Sequence, residues 1–333
     1  MWRRMLKALA YFSRLIILSL AAFLPAPQAY GLARLYGDWC YRRDHARRET
    51  ITRNLREVLG EQLSQVERIH IVHAFFRLRY CDALDLLRLA ENEQAFTRLV
   101  EIRGREHIEA ALAEGKGAIL CGAHFGSYYA SSSPLLANGI PVTIVGHFSA
   151  ISDQPATSTA RLAWQRRMDQ RTARYSYRLA IQARQAHAAI RIANRLRANE
   201  VIAMTIDLPA LAGASRRAVS TTFLGRHAQM PSGCVTLARL TDAPILMFFL
   251  RRSADWRHQV LEISSPVAMD DDAAATFRRC VATVEAAILR NPAHWSYWDQ
   301  PNVLMNLGLL STTISSTSYV HTEINEMSMS QHP

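Results

Sequence analysis

The sequence predicts an α/β fold, in which a mixed and mostly parallel sheet is flanked by helices and preceded by an N-terminal membrane-associated helix. Five short apolar segments have the length and the boundaries of buried strands, and helical stretches separate most of them. Hydrophobic residues make up 49% of the 333 residues, enough for a sizeable core. The N-terminal segment combines basic residues with an apolar run.

The N-terminal segment, residues 1–36, is predicted to anchor the protein at a membrane. Its apolar run from Leu15 to Leu24 ends at Pro25 and Pro27. The run has about half of the ~20 apolar residues that a bilayer-spanning helix needs. A cleaved signal peptide fits the basic start, but an arginine inside the segment argues against cleavage. We expect an uncleaved helix in the bilayer interface, with a core-packed helix as the alternative.

The main domain is expected over residues 37–305. Apolar positions from Arg42 to Ala90 recur at helical spacing, and residues 103–117 have the pattern of a helix closed by glycine. Predicted strands follow at 117–125, 140–148, 201–209, 243–252 and 258–267. Residues 306–333 are polar, low in charge and without periodicity, so we expect a disordered tail.

Two polar residues fall at the carboxyl ends of predicted strands. His124 ends the first strand and Asp207 ends the third. Ligands bind beyond the carboxyl ends of parallel strands, and neighbouring strands bring those ends together. A histidine with its ordinary pKa of about 6.5 can act as a base near neutral pH. His124 is therefore a candidate catalytic base, and a packed histidine is the alternative.

A basic segment, residues 161–197, holds ten arginines against a single acid, and the whole chain carries a net charge of +11. A solvated helix face is one interpretation. Because charges of one sign repel, a surface that contacts an anion is the other, and Arg171 and Arg174 are assigned to it. No helix-turn-helix or aromatic RNA-binding signature accompanies the charge, so nucleic acid is not expected as a partner.

No metal site and no cofactor are predicted. The five cysteines are widely spaced and form no CxxC pair, which argues against both a disulfide framework and a zinc site. No histidine and carboxylate cluster, such as HExxH, has the spacing of metal ligands.

The order of several segments resembles a known family. The segment "IRGREHIEAALAEGKGAILCGAHFGSYY" (102–129) resembles the central block of the lysophospholipid acyltransferase superfamily, and its closest branch is the lauroyl/myristoyl acyltransferases of lipid A biosynthesis. The segments "STTFLGRHAQMPSGCVTLARLTDAPIL" (220–246) and "NPAHWSYWDQ" (291–300) resemble later blocks of the same branch. The resemblance covers roughly residues 1–305.

The resemblance implies a sheet with a groove above it and an acyl-transfer reaction. The fatty acyl group would pass from an acyl carrier protein or acyl-coenzyme A to a hydroxyl of a membrane lipid or of a small molecule. The protein would lie at the cytoplasmic face of the bacterial inner membrane. A basic surface suits an acidic carrier protein, because opposite charges steer the encounter.

The chain departs from the family at one decisive position. The family motif places Asp or Glu five residues after the histidine, and Tyr129 stands there. Three interpretations remain open. Another acid can serve His124, with Asp207 preferred over Asp153; Tyr129 alone can orient the ring; or the chain binds acyl carrier or lipid without turnover. Together with Ser127-Tyr128 in place of the family's Asn-Trp, this departure also suggests a divergent branch that acylates a specialised metabolite or a peptidic product rather than lipid A.

Four further residues are assigned to substrate binding. Gly126 and the adjacent backbone could offer N–H groups to an oxyanion, and Ser127 lies beside it. The stretch "GSY" is not a G-x-S-x-G elbow, so Ser127 is not predicted to be a nucleophile. Gly225 and Arg226 are assigned to a phosphate or to the pantetheine arm of the donor.

Overall fold

The computed structural model describes residues 17–18, 20–146, 180–182, 187–209 and 218–311. The α-helices are α1 (Ala26–Arg43), α2 (His45–Leu59), α3 (Gln65–Glu91), α4 (Glu93–Thr97), α5 (Arg105–Ala113), α6 (Ser132–Ala137), α7 (Ala188–Arg197), α8 (Gly233–Thr241), α9 (Ala273–Arg290) and α10 (Pro301–Asn306). The strands are β1 (Val100–Arg103), β2 (Ala118–Gly122), β3 (Val142–Gly146), β4 (Ala180–Gln182), β5 (Val201–Thr205), β6 (Ala218–Phe223), β7 (Arg226–Pro231), β8 (Ile245–Arg252) and β9 (Gln259–Pro266).

Seven of these strands form one sheet in the order β1-β9-β8-β2-β5-β3-β4. The pairs are parallel except for β8 with β9, which are antiparallel. Strands β6 and β7 form a separate antiparallel hairpin. The predicted α/β fold with a mostly parallel sheet is confirmed.

The central strand β2 is buried along its whole length. Its side chains alternate between two hydrophobic clusters, one on each face of the sheet. Ile119 packs in one cluster with Ile202 of β5, and Leu120 packs in the other with Val201. Helices cover both faces, which explains why β2 is a continuous apolar run rather than an alternating one.

The hairpin β6–β7 was not predicted. Its residues alternate between buried and exposed, so neither strand has the continuous apolar run that identified the sheet strands. Leu224 and Gly225 form its two-residue turn with φ of 49° and 75°, as a tight hairpin turn requires.

Helix α1 packs tightly along α3. Tyr36 contacts Tyr80 edge to face, and the Asp38 carboxylate pairs with Arg77. The backbones come close at Gly37, where a Cβ atom would lie 2.8 Å from the Cα of Arg77. Among the helices of the described residues, none has the length and apolar character needed to cross a bilayer. Residues 1–16 lie outside the described residues.

The C-terminal part of the described chain continues beyond residue 305. Leu307, Leu309 and Leu310 are buried in the core. Gly308 has a φ of 77°, and a Cβ atom there would lie 2.4 Å from the carbonyl oxygen of His227. Packed structure therefore extends to residue 310, and the tail from residue 312 onward lies outside the described residues.

A glycine substitution tests the close approach of α1 to α3. We expect Gly37→Ala to lower the free energy of unfolding by about 1–3 kcal/mol, because its Cβ would press on backbone atoms that cannot rotate away. The matched control is Gly31→Ala in the same helix, where nothing lies within 4 Å of the new Cβ. This control should be neutral or stabilising by up to about 1 kcal/mol. Urea denaturation of both variants measures the difference, and equal effects would contradict the packing.

Candidate active site

The site is centred on His124 and Asp207, which the structure brings together. His124 Nδ1 lies 2.7 Å from Asp207 Oδ1. The strand register explains the contact, because Gly122 of β2 pairs with Thr205 of β5 and each side chain lies two residues further along its strand. The two residues lie at the carboxyl ends of neighbouring parallel strands, as expected from the order of the strands in the sequence.

The Asp207 carboxylate is fully buried and surrounded by donors. Its Oδ2 atom accepts hydrogen bonds from the His124 backbone N–H and from the Trp295 indole N–H, both at 2.8 Å. These bonds offset the cost of burying a carboxylate. With Oδ1 accepting at Nδ1, that ring nitrogen carries the proton and Nε2 is left as the basic nitrogen. Among the described residues, none hydrogen-bonds to Nε2, and 14% of the His124 side chain is exposed.

Tyrosine rings form the walls around the imidazole. The ring centroids of Tyr128 and Tyr297 lie 4.6 and 4.8 Å from that of His124. Tyr129 packs against Tyr128, and 47% of it is exposed. Burial, with smaller effects of neighbouring phenols and of Asp207, raises the pKa of Tyr128 and of Tyr297 well above its ordinary value. Both phenols therefore stay protonated near neutral pH.

The interpretation in which Tyr129 alone orients His124 is wrong, since Asp207 occupies Nδ1. The carboxylate at the ring is that of Asp207, which follows the neighbouring strand, while the turn itself has Tyr129 at the position of the expected acid.

The turn that carries His124 is fastened to the segment from His294 to Tyr297. Gly126 N–H donates to the His294 carbonyl at 2.8 Å, and Ser296 N–H donates to the His124 carbonyl at 2.9 Å. Gly126 has a φ of 55°, and a Cβ atom there would lie 2.2 Å from the carbonyl oxygen of Leu250. The expectation that the Gly126 N–H is free for an oxyanion is wrong, because that group is already bonded within the fold.

The hydroxyl of Ser127 also has internal partners, so it is used within the fold. Its hydroxyl donates to the Asp85 carboxylate, and the Asp82 carboxyl lies 2.9 Å away. Asp85 accepts a further bond from Tyr30 at 2.6 Å and pairs with Arg252. We call these five residues the buried acid cluster; it joins α1, α3, the turn and β8.

Asp82 holds a proton more tightly than an ordinary aspartate. Burial, and then the negative charge of Asp85, raise its pKa to about 6. The geometry agrees, because the single hydroxyl proton of Ser127 cannot serve two carboxylates at once. A protonated Asp82 donates to the Ser127 oxygen, while the Ser127 hydroxyl donates to Asp85.

The predicted donor-binding residues of the hairpin are used for packing. The Arg226 guanidinium donates to the Glu57 carbonyl at 2.7 Å, which satisfies an unpaired carbonyl in the last turn of α2. The backbone N–H groups of Leu224 and Gly225 donate to the Glu285 carboxylate of α9. These contacts hold the hairpin on two helices, and the assignment of Gly225 and Arg226 to the donor stays a prediction.

Other assignments lie outside the described residues: Arg171, Arg174 and Asp153. Conversely, sequence analysis missed Trp295 and Tyr297 as site residues. Both lie in the segment "HWSYWD". The pattern of alternating aromatic residues carried no sign that one indole N–H reaches a buried carboxylate.

The proton on Asp82 gives a testable pH dependence. Because the folded pKa of about 6 lies above the unfolded value, protonation favours the folded state. That stabilisation is complete below about pH 4 and is lost as the pH rises through about 6. In Asp82→Asn the amide donates to Ser127 at every pH. Between pH 4 and 7 the parent should therefore lose about 1–3 kcal/mol more unfolding free energy than the variant, measured by urea denaturation.

A control of opposite sign is Asp255→Asn. Hydrogen bonds from Ser253 and from the backbone lower the pKa of Asp255 to about 2, so its contribution is present above its unfolded pKa and disappears as the pH falls. Parallel pH curves for the parent and Asp82→Asn would contradict the assignment of the proton.

The chain matches a known protein family over most of its length. A family model described as bacterial lipid A biosynthesis acyltransferase matches residues 2–300. A search of curated proteins found no significant match. Since the family model covers nearly the whole chain, the protein belongs to the bacterial lipid A biosynthesis acyltransferase family.

Proposed function

We propose that the protein transfers a fatty acyl group from an acyl thioester, carried on acyl carrier protein or coenzyme A, to a hydroxyl of a lipid or specialised-metabolite acceptor. The observation that carries the proposal is the 2.7 Å contact between His124 Nδ1 and a fully buried Asp207. Acyl transfer to an alcohol needs a base at the attacking oxygen. This pair can supply one at the edge of the sheet.

In the proposed reaction, His124 Nε2 removes the proton of the acceptor hydroxyl as its oxygen attacks the thioester carbonyl carbon. The tetrahedral intermediate then collapses, the C–S bond breaks, and His124 returns the proton to the leaving thiolate. The acceptor itself is the nucleophile, so no covalent enzyme intermediate forms. Asp207 fixes the ring tautomer and stabilises the imidazolium.

The contacts of Asp207 favour an enzyme over a protein that only binds acyl carrier or lipid. Burying a carboxylate is costly unless donors compensate it. Here the His124 N–H and the Trp295 indole bind Oδ2 of Asp207 and thereby direct Oδ1 toward the imidazole. Binding alone has no use for an oriented imidazole with an open Nε2.

The N-terminal segment and α1 hold the site at the cytoplasmic face of the inner membrane in this proposal. Leu32, Leu35 and Trp39 lie on the exposed face of α1 at positions i, i+3 and i+7. Arg42 and Arg43 follow in the last turn. An apolar stripe that ends in arginines suits a helix lying in an anionic bilayer interface.

The basic segment 161–197 would receive the acyl donor. Its described part includes α7, which carries Arg191, Arg195 and Arg197, and Arg195 pairs with Glu200. Positive charge of this kind attracts an acidic carrier protein. Arg171 and Arg174 belong to the same proposal.

The proposal is tested by supplying long-chain acyl carrier protein, acyl-coenzyme A and a panel of lipid and small-molecule hydroxyl acceptors to the purified protein. We expect acceptor acylation by the parent. His124→Ala and Asp207→Asn should each lower kcat by about 10²–10⁴-fold, because they remove the base or its orienting charge.

The surface pair His258 and Asp255 provides matched controls. Its ring nitrogen and carboxylate are 3.2 Å apart and both side chains are more than half exposed. His258→Ala and Asp255→Asn should keep the activity of the parent. Full turnover by His124→Ala would overturn the assignment of the base, and a parent inactive with every donor and acceptor would favour the binding protein.

A second substitution tests how Asp207 is held. Trp295→Phe keeps an aromatic ring but removes the indole N–H from Oδ2. We expect kcat to fall about 10–100-fold with little change in KM, since hydrogen bonds to charged groups contribute about 1.5–3 kcal/mol. The control is Trp298→Phe, whose indole donates to the Pro292 carbonyl and is equally buried. If Trp295→Phe and Trp298→Phe lose similar stability and also have the same kcat, Trp295 contributes only packing.

A further inference from the structure

The intermediate of the proposed reaction carries a negative oxygen, and such an oxygen requires donors about 2.7–3.1 Å away. In the turn at His124, the N–H groups of Ser127 and Tyr128 make no hydrogen bond with a described residue, while the three N–H groups before them are used within the fold. The His124 N–H donates to Asp207, that of Phe125 to the Ala123 carbonyl, and that of Gly126 to the His294 carbonyl. Three successive backbone donors beside the base are therefore bonded within the fold.

Tyr297 offers a side-chain donor next to the imidazole. Its ring lies 4.8 Å from the imidazole and packs edge to face on Trp295 at 5.7 Å. Only 4% of the residue is exposed, yet its hydroxyl makes no hydrogen bond with any described residue. Buried tyrosine hydroxyls usually have a partner. A hydroxyl that has no partner among the described residues and lies next to the proposed base can therefore bind a ligand group.

The protonation state of Tyr297 suits a donor. Burial raises its pKa well above the ordinary value, and the charge of Asp207 and the nearby Tyr129 phenol add to the effect. The phenol therefore keeps its proton throughout the pH range in which His124 acts as a base.

We propose that Tyr297 is a catalytic residue whose phenol O–H binds the thioester oxygen and stabilises the oxyanion; this inference rests on the proposed function. His124 takes the proton of the acceptor hydroxyl, the new C–O bond forms, and the carbonyl electron pair moves to the oxygen that Tyr297 holds. When the carbonyl re-forms, the C–S bond breaks and the thiolate receives the proton from His124. Tyr297 keeps its own proton throughout.

The test is Tyr297→Phe, which removes one oxygen and leaves the ring. Loss of a single oxyanion donor lowers kcat by about 10²–10³-fold, and we expect that loss with KM for the acyl donor changed by less than about threefold. The control is Tyr41→Phe. Tyr41 packs against His73 and Phe76 of α3. Both residues lie more than two helical turns before Asp85, a residue of α3 that contacts the turn at His124. It should keep the activity of the parent.

A kcat of Tyr297→Phe within about threefold of the parent, with His124→Ala inactive, would overturn this inference alone. The oxyanion donors would then be the N–H groups of Ser127 and Tyr128, which make no hydrogen bond with a described residue. A parent without acyl transfer would instead overturn the proposed function together with the inference.

A second variant covers the case in which Tyr297→Phe folds poorly. Replacing Tyr297 by 3,5-difluorotyrosine keeps the ring and the hydroxyl but makes the phenol more acidic. The basic limb of the kcat–pH profile should then move to lower pH, because the donor loses its proton earlier. The titratable groups around Tyr297 are His124, Asp207, Tyr128 and Tyr129, and all are unchanged in this variant. A basic limb that does not move would overturn the inference.

Discussion

The site depends on one buried carboxylate. Asp207 has no contact with water, and its two oxygens accept hydrogen bonds from the His124 ring, from the His124 backbone and from Trp295. These donors come from the turn after β2 and from the segment before α10, while Asp207 itself follows β5. One carboxylate therefore fixes three parts of the chain relative to each other. The same bonds determine which nitrogen of His124 is basic.

Tyr129 stands where the resemblance expects an acid, and the carboxylate that contacts His124 comes from Asp207. A carboxylate in the turn and one at the end of the neighbouring strand can reach the same ring nitrogen, because parallel strands in register bring their ends to one edge. Once Asp207 occupies Nδ1, a second acid in the turn would place like charges close together. A neutral, half-exposed tyrosine avoids that repulsion, and it leaves an aromatic surface beside the imidazole.

The sheet and the pair of His124 with Asp207 could be predicted from sequence, because buried parallel strands are continuous apolar runs and their ends are easily located. The hairpin β6–β7 could not, since its half-exposed strands lack such a run. The roles of Ser127, Gly126 and Arg226 were missed for another reason. Each makes its bond with a residue distant in sequence, and residue type alone does not show whether a hydroxyl, an N–H or a guanidinium is already paired.

The buried acid cluster has a consequence for how the molecule can be divided. Asp85 of α3 binds Tyr30 of α1 on one oxygen and contacts Ser127 and Arg252 on the other. The N-terminal helices and the turn that carries His124 thus share a single side chain, that of Asp85. Chimeras that exchange the first two helices between relatives would separate Tyr30 from its acceptor unless α3 and the end of β8 were exchanged with them. The first helices are therefore coupled to the turn that carries His124 and do not form an independent module.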